Sequence, residues 1–212
     1  MNDDDHTSDL RLPTGTLLEG IVTTLNADGS PHIVPMGPIV NAEFTRLLLR
    51  PFRTSMTYQN LKRTGQGVLH VTDDVELFAR AAVGKLEGTP RLFPAKAVEG
   101  AILADACRWY AFYVDSLDDT AERTSIYASV VEYGRARDFF GFNRAKHAVI
   151  EAAILATRIG LLDASHVRSE FDRLSVIVDK TGGNQEHAAF DFLREYVSEQ
   201  LAAKVGGETA QQ

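Results

Sequence analysis

The pattern of hydrophobic residues changes once along the chain, near residue 143. Before that point, short apolar and β-branched runs are separated by turn-forming residues, which is typical of strands joined by hairpins. Six runs predict six strands: TLLEGIVTTL, HIVPMG, FTRLLLR, GVLHVT, DACRWYAFYVDSL and ERTSIYASVVEYG. Two short helices are expected between them, one beginning near Thr57 and one capped by Asp73 or Asp74.

The two longest runs are apolar on both faces, so other parts of the protein have to cover both sides of these strands. In the first of them the two alternating sets are Trp109, Ala111 and Tyr113, and Tyr110, Phe112 and Val114. Short antiparallel strands lose their exposed edges when the sheet closes on itself. The predicted fold class is therefore mainly β plus α, with a closed or nearly closed six-stranded antiparallel barrel.

After residue 143 the apolar residues recur with helical spacing. Asn143 is a candidate N-cap for the first helix, and Gly182 and Gly183 are expected to end the second in a left-handed conformation. A third helical pattern follows, so we predict a helical hairpin or a three-helix layer. The predicted domains are a barrel over 14–142 and a helical subdomain over 143–204, between disordered ends at 1–13 and 205–212.

Composition limits the partners and the compartment of the protein. The 212 residues carry a net charge of -7, and binders of nucleic acid or anionic membranes normally carry a positive field, so we expect neither partner. One cysteine cannot form an internal disulfide, and the six histidines lack metal-ligand spacing, so no metal is predicted. The acidic N-terminus does not resemble a signal peptide and no apolar run reaches 18 residues, which indicates a cytoplasmic protein.

One turn concentrates cations and hydroxyl groups at the start of a predicted helix. The segment RPFRTSMTYQN follows an apolar run and contributes Arg50, Arg53, Thr54, Ser55, Thr57 and Asn60. Helix N-termini, hydroxyl donors and guanidiniums together bind phosphate monoesters. The alternative is that Thr54 or Ser55 only caps the helix and the arginines are solvated.

Two further segments are candidates for contact with a flat ligand. In PHIVPMGPIV, prolines bracket Met36 and Gly37, which leaves backbone groups without strand partners and lets a ring approach closely. An edge strand that ends in a proline turn explains the same pattern. In VLHVTDD, His70 and Thr72 share a strand face, and a lone strand histidine is more often a packing residue than an acid, a base or a ring contact.

Three blocks together resemble an uncharacterised family, with a domain-of-unknown-function label, among the flavin reductase-like FMN-binding split barrels. The blocks are LEGIVTTLNADGSPHIVPMGPIV, LLLRPFRTSMTYQNLKRTGQGVLHVTDDVELFARAA and GFNRAKHAVIEAAILATR. The resemblance runs from about Leu18 to Tyr196. It implies a six-stranded antiparallel split barrel that forms a homodimer with FMN at the subunit interface.

The resemblance also implies roles for the candidate residues. The turn from Arg50 to Thr57 would hold the FMN phosphate, and Asn60 would fix the loop or touch the ribityl chain. The residues expected beside the isoalloxazine ring are Met36, Gly37, Pro38, His70, Val71 and Thr72. No residue is assigned a catalytic role.

The implied function is that of an FMN-dependent oxidoreductase, similar to flavin reductases, acting on an unidentified small molecule. The helical third is an addition to the basic barrel and no nicotinamide-binding signature is visible, so the electron donor stays open. One alternative is a non-catalytic FMN-binding or interaction module whose helical part contacts a partner. Another is a structural protein that binds no flavin.

Overall fold

The computed structural model describes residues 15–209, with side chains up to residue 204. These residues form two compact units, one from 15–72 and 89–138 and the other from 73–88 and 139–209. The expected disordered N-terminus at 1–13 and residues 210–212 of the expected disordered tail lie outside the described residues. The predicted class, mixed β plus α, is confirmed.

The first unit contains ten strands and one helix within its described residues. They are β1 (Thr16–Leu17), β2 (Gly20–Leu25), β3 (Pro31–Met36), β4 (Ile39–Val40), β5 (Arg46–Leu49), α1 (Met56–Thr64), β6 (Gln66–Val71), β7 (Leu92–Pro94), β8 (Ala101–Leu103), β9 (Arg108–Asp118) and β10 (Ser125–Arg135). Eight strands form one antiparallel sheet in the order β1-β4-β5-β10-β9-β6-β2-β3, and β7 pairs with β8 in a second, small sheet.

The connection between β3 and β4 shows how the large sheet curls. β3 lies at one edge of the sheet and β4 lies next to the opposite edge, yet only Gly37 and Pro38 separate them in the chain. Three residue steps span at most about 11 Å, so the two edges have to approach one another. The Leu18 N–H donates to the Pro38 carbonyl at 3.0 Å in this region, and the sheet is a curled half-barrel.

The number of strands differs from the prediction, since the main sheet of the described residues has eight strands and the sequence predicted six. The two additional strands, β1 and β4, contain two residues each. Alternation cannot be recognised over so short a run. The other six strands correspond to the six predicted runs.

Strand β9 is buried on both faces, as its sequence predicted. Tyr110 and Phe112 belong to the core inside the curled sheet, whereas Trp109 and Ala111 lie in a second cluster on the outer face. Ile102 of β8 belongs to that second cluster, so the small sheet covers the outer face of β9.

The second unit is helical within its described residues. It contains α2 (Val75–Ala82), α3 (Arg144–Ala156), α4 (Ala164–Thr181) and α5 (Asn184–Thr209). Asp74 and Asn143 cap α2 and α3 by accepting from the backbone N–H groups of Leu77 and Lys146, and both caps were predicted. Residues 73–88, which the sequence-based boundaries put in the barrel, belong to this unit because α2 packs against α3 and α5.

The ends of two helices differ from the expectations. Gly182 follows α4 with φ -81° and ψ 149°, so the predicted left-handed stop is wrong. The extended backbone still lets its N–H donate to the Val178 carbonyl at 2.7 Å and leads directly into α5. Helix α5 runs to Thr209, beyond the predicted boundary at residue 204.

No helix in the described part of the chain is long and apolar enough to cross a membrane.

Candidate functional site

The turn between β5 and α1 is the segment in which phosphate binding was expected. Ser55 is the N-cap of α1, because its hydroxyl oxygen accepts from the Tyr58 N–H at 3.2 Å. Its own N–H donates to the Phe52 carbonyl at 2.9 Å and closes the turn. Ser55 therefore has the capping role of the alternative interpretation. The N–H groups of Met56 and Thr57 come next, at the helix start, where a helix supplies no acceptor for them.

A second turn, between β9 and β10, holds the first one in place. The N–H and the hydroxyl of the buried Thr124 both donate to the Pro51 carbonyl, at 3.0 and 2.8 Å. The Arg53 N–H donates to the Glu122 carbonyl at 2.9 Å. These backbone contacts fix the shape of the segment that follows β5. No local pattern in the sequence indicates them, because the partners lie about 70 residues apart in the chain.

Among the described residues, no carboxylate pairs with the arginines of this region. The guanidinium of Arg50 makes no hydrogen bond or ion pair with a described residue, and its side chain is exposed. Arg53 Nη1 donates to the Asp119 carbonyl at 3.1 Å, and Arg123 Nε donates to the Arg50 carbonyl at 3.1 Å. Neither forms an ion pair within the described part of the chain.

The carboxylate of Asp119 is engaged elsewhere. Its Oδ2 accepts from Lys62 Nζ at 2.8 Å and from the Tyr58 hydroxyl at 2.6 Å. The hydrogen bond from Lys62, followed by that from Tyr58, lowers the pKa of Asp119 to about 2, and the same contact with Asp119 raises the pKa of Lys62. This ion pair neutralises Asp119, so Asp119 does not compensate the positive charge of the neighbouring turn.

Two of the predicted residues on α1 are buried and have different roles. Thr57 is 2% exposed and its hydroxyl forms no hydrogen bond with a described residue, whereas Thr54 is exposed on the turn. Asn60 Nδ2 donates to Thr24 Oγ1 and Asn26 Oδ1, both at 3.0 Å. The side chain of Asn60 thus ties α1 to the end of β2.

The segment Met36 to Pro38 forms the crossing between β3 and β4. Met36 pairs with Gly20, and the pairing of Ile21 with His70 puts Val71 on the other side of Gly20. Met36 and Val71 are both partly buried against the core inside the sheet. A Cβ atom added at Gly37 would lie 3.2 Å from a methyl group of Leu17, so this position has limited free space.

His70 is fully buried and both of its ring nitrogens have partners. Nδ1 lies 3.1 Å from the Ile21 carbonyl, and Nε2 accepts from the Leu103 N–H at 3.0 Å. Donation by Nδ1 and acceptance by Nε2 define a neutral ring, and burial lowers the pKa of His70 to about 4. The histidine therefore links β6 to β2 and β8. Thr72 is half-buried at the end of β6.

The structure arranges most of the predicted residues in two groups, one around Arg50–Thr57 and one around Met36–Pro38 with Val71. The groups are connected because Ile39 pairs with Leu48, so the crossing leads to the end of β5, where Arg50 begins. Sequence reasoning missed Asp119, Arg123 and Thr124. Tertiary contacts alone bring these residues to the turn.

Comparison with solved structures supports the fold. An FMN-bound protein from Methanosarcina mazei, assigned to the DUF447 family, matches with a TM-score of 0.74 and 22% identity over 90% of this chain and 99% of that chain. A flavin reductase domain protein from Arthrobacter sp. FB24 matches with a TM-score of 0.49 and 20% identity, covering 57% of this chain and 79% of the other. The flavin reductase of styrene monooxygenase from Pseudomonas putida S12 gives 0.46 and 12%, covering 56% and 79%. The two lower TM-scores are too small to support a conclusion.

Sequence comparison identifies the family. No curated protein matches the chain significantly. The model of the N-terminal domain of a protein of unknown function, DUF447, matches residues 18–137, and the model of the C-terminal part matches residues 143–195. Together they span most of the chain in the expected order. The chain therefore belongs to the DUF447 family of proteins of unknown function.

Proposed function

We propose that this protein binds FMN and holds the FMN phosphate at the turn between β5 and α1. The observation that carries the proposal is the guanidinium of Arg50, which has no partner among the described residues and lies in the turn leading to the start of α1. A cation without a counter-ion and the free N–H groups of a helix N-terminus favour an anionic ligand. The FMN bound to the Methanosarcina mazei protein supports this choice of ligand.

The residues around the site suit FMN in charge and in polarity. Arg50 and Arg53 offer positive charge, and the unpartnered hydroxyl of Thr57 offers a further donor for a phosphate oxygen. Met36 and Val71 offer apolar surface for one side of the isoalloxazine ring. The phosphate and the ring thus have separate binding surfaces, one polar and one apolar.

The proposed reaction class is an oxidoreduction of a small molecule. When bound, FMN supplies hydride or single-electron transfer, which side chains cannot perform. The residues of the chain then bind and orient the cofactor and exclude water from one of its faces. His70 is not a proton donor in this scheme, since both ring nitrogens are used within the fold.

A second candidate function is a non-catalytic FMN-binding or interaction module. It is favoured by the exposure of aromatic side chains in the segment before α3, where Phe140 is 75% and Phe142 is 95% exposed. Large apolar side chains clustered at a surface are typical of contact sites for other proteins. A measurement of turnover with a compound that reduces FMN distinguishes the two candidates, because only the oxidoreductase is expected to turn over.

We also propose that the protein forms a homodimer with FMN at the subunit interface. The barrel unit has large exposed apolar side chains that a second subunit would cover: Leu17, Phe52, Met56, Val131 and Tyr133. Sedimentation equilibrium is expected to give twice the mass of the single chain. A mass equal to one chain in the presence of FMN would contradict the dimer.

The experiment that tests FMN binding is a visible absorption titration of the purified protein with FMN and with riboflavin. We expect a flavin spectrum that shifts on binding, and tighter binding of FMN because riboflavin lacks the phosphate. If FMN does not bind, the proposal is wrong. Bleaching of bound FMN by NADH or NADPH without oxygen, followed by reoxidation by an added acceptor, would support the oxidoreductase, and bound flavin that no reductant bleaches would favour the binding module.

A further inference from the structure

Arg123 lies beside the turn between β5 and α1, which contains Arg50. It lies between β9 and β10, and it forms an isolated antiparallel bridge with Phe52. Its Nε donates to the Arg50 carbonyl at 3.1 Å, and its Cζ lies 5.1 Å from the centre of the Phe52 ring. The guanidinium is therefore held by a hydrogen bond on one side and by a cation–π contact on its face.

The remaining donors of Arg123 are available for a ligand. An arginine has five N–H donors, and the bond from Nε to the Arg50 carbonyl uses one of them. The terminal nitrogens Nη1 and Nη2 make no hydrogen bond and no ion pair with a described residue. The nearby carboxylate of Asp119 is already bound by Lys62 and Tyr58. A fixed, planar guanidinium with two free nitrogens matches two oxygens of a phosphate group.

We propose that Arg123 is a further phosphate-binding residue, which reaches the ligand from the β9–β10 turn and gives the site its selectivity for a phosphate monoester over the uncharged flavin. This inference rests on the proposed function and deepens it. The guanidinium is already oriented by Phe52 and by the Arg50 carbonyl, so little side-chain freedom is lost on binding. Arg50 and Arg53 come from one turn and Arg123 from another, so the phosphate would connect both turns.

The test compares dissociation constants for FMN and riboflavin, measured by quenching of flavin fluorescence, in the full-length protein and three variants. Arg123→Gln removes the charge, and Arg123→Lys keeps it without the planar group. Arg91→Gln is the control, since Arg91 is an exposed arginine paired with Asp105 outside the site and its loss changes the net charge equally. Thermal unfolding of each variant establishes that the fold is retained.

We expect Arg123→Gln to weaken FMN binding about ten- to one-hundred-fold, the usual effect of losing a hydrogen bond to a charged group. Riboflavin binding should stay unchanged in this variant. Arg123→Lys should fall between the wild type and Arg123→Gln in its preference for FMN, because it keeps the charge and loses the planar pair of donors, and Arg91→Gln should behave as the wild type.

Two results would overturn the inference while leaving the proposed function intact. One is unchanged FMN affinity in Arg123→Gln. The other is an equal loss of FMN and riboflavin, which would show that Arg123 only shapes the turn through the Arg50 carbonyl. Failure of the wild type to bind either flavin would instead overturn the proposed function and, with it, this inference.

Discussion

The Tyr58 hydroxyl donates to Asp119 Oδ2 at 2.6 Å and thereby joins α1 to the turn between β9 and β10. Lys62 contacts both groups, at 2.9 Å from the Tyr58 oxygen and 2.8 Å from Asp119. The three side chains connect α1 with the turn between β9 and β10. That turn also holds the turn between β5 and α1 in place. The geometry of the candidate phosphate site therefore depends on residues that would not themselves touch a ligand.

Replacement of Asp119 by Asn should make the stability of the fold less dependent on pH in the acid range. The pKa of Asp119 is lowered from 3.8 to about 2 in the folded protein, so its stabilising effect is complete above about pH 5 and is lost as the pH falls through 2. We expect Asp119→Asn to unfold at a lower temperature than the wild type at pH 7, and the difference to shrink between pH 4 and pH 2. Thermal unfolding by circular dichroism measures both.

A matched control is Asp105→Asn, which removes an exposed carboxylate paired with Arg91. A difference between wild type and Asp119→Asn that stays constant down to pH 2 would contradict the assigned contacts.

Replacement of Arg50 by Ala should separate ligand binding from stability. Because its guanidinium makes no hydrogen bond or ion pair with a described residue, we expect the free energy of unfolding to change by less than about 0.5 kcal/mol. FMN affinity should fall about ten- to one-hundred-fold, as for loss of a charge-assisted hydrogen bond, with riboflavin affinity unchanged. Denaturant unfolding and flavin titration give the two quantities.

Ser55→Ala is the comparison for Arg50→Ala, since it removes the N-cap of α1. It should cost about 1 kcal/mol of stability. A loss of stability in Arg50→Ala as large as in Ser55→Ala would show that Arg50 has a structural role.

Two glycines should respond differently to replacement by Ala. At Gly20 a Cβ atom would lie 2.6 Å from the His70 carbonyl oxygen, so Gly20→Ala should destabilise the fold by about 1–3 kcal/mol. At Gly37 the nearest atom is a methyl group of the exposed Leu17 side chain, 3.2 Å away, which can move. We expect Gly37→Ala to fold normally and to weaken FMN and riboflavin equally, since both carry the isoalloxazine ring. Unaltered binding of both flavins would place Gly37 away from the ring.

His70 should make the fold sensitive to mild acid. Burial lowers its pKa from 6.5 to about 4, so the unfolded chain binds a proton that the folded protein does not, and stability falls as the pH drops from 6.5 to 4. The shift corresponds to about 3 kcal/mol. We expect His70→Gln to be less stable than the wild type at pH 7, and the gap to narrow towards pH 4. Urea unfolding at pH 7, 5.5 and 4.5 measures the gap, and a gap independent of pH would contradict a neutral, buried His70.

Much of the fold could be predicted from the sequence, because local patterns of residues specify it. The alternation around Trp109 and Tyr110 predicted a strand buried on both faces, and the cap residues Asp74 and Asn143 marked two helix starts. Such signals depend on neighbouring residues only. The strands β1 and β4 were not predicted, because two residues cannot display a period. The left-handed stop at Gly182 was predicted wrongly, because glycine adopts the extended conformation found there as readily as the left-handed one.

The candidate site divides in the same way. The sequence by itself determined the cluster of arginines and hydroxyls from Arg50 to Thr57, because these side chains and a predicted helix start all lie within one short segment. Only the tertiary structure decided that Arg123 and Thr124 form hydrogen bonds with that segment, and that Lys62 neutralises Asp119. It also decided that both nitrogens of His70 are used within the fold. These contacts join residues far apart in the chain, and their distances arise from strand pairing and burial, which no local pattern specifies.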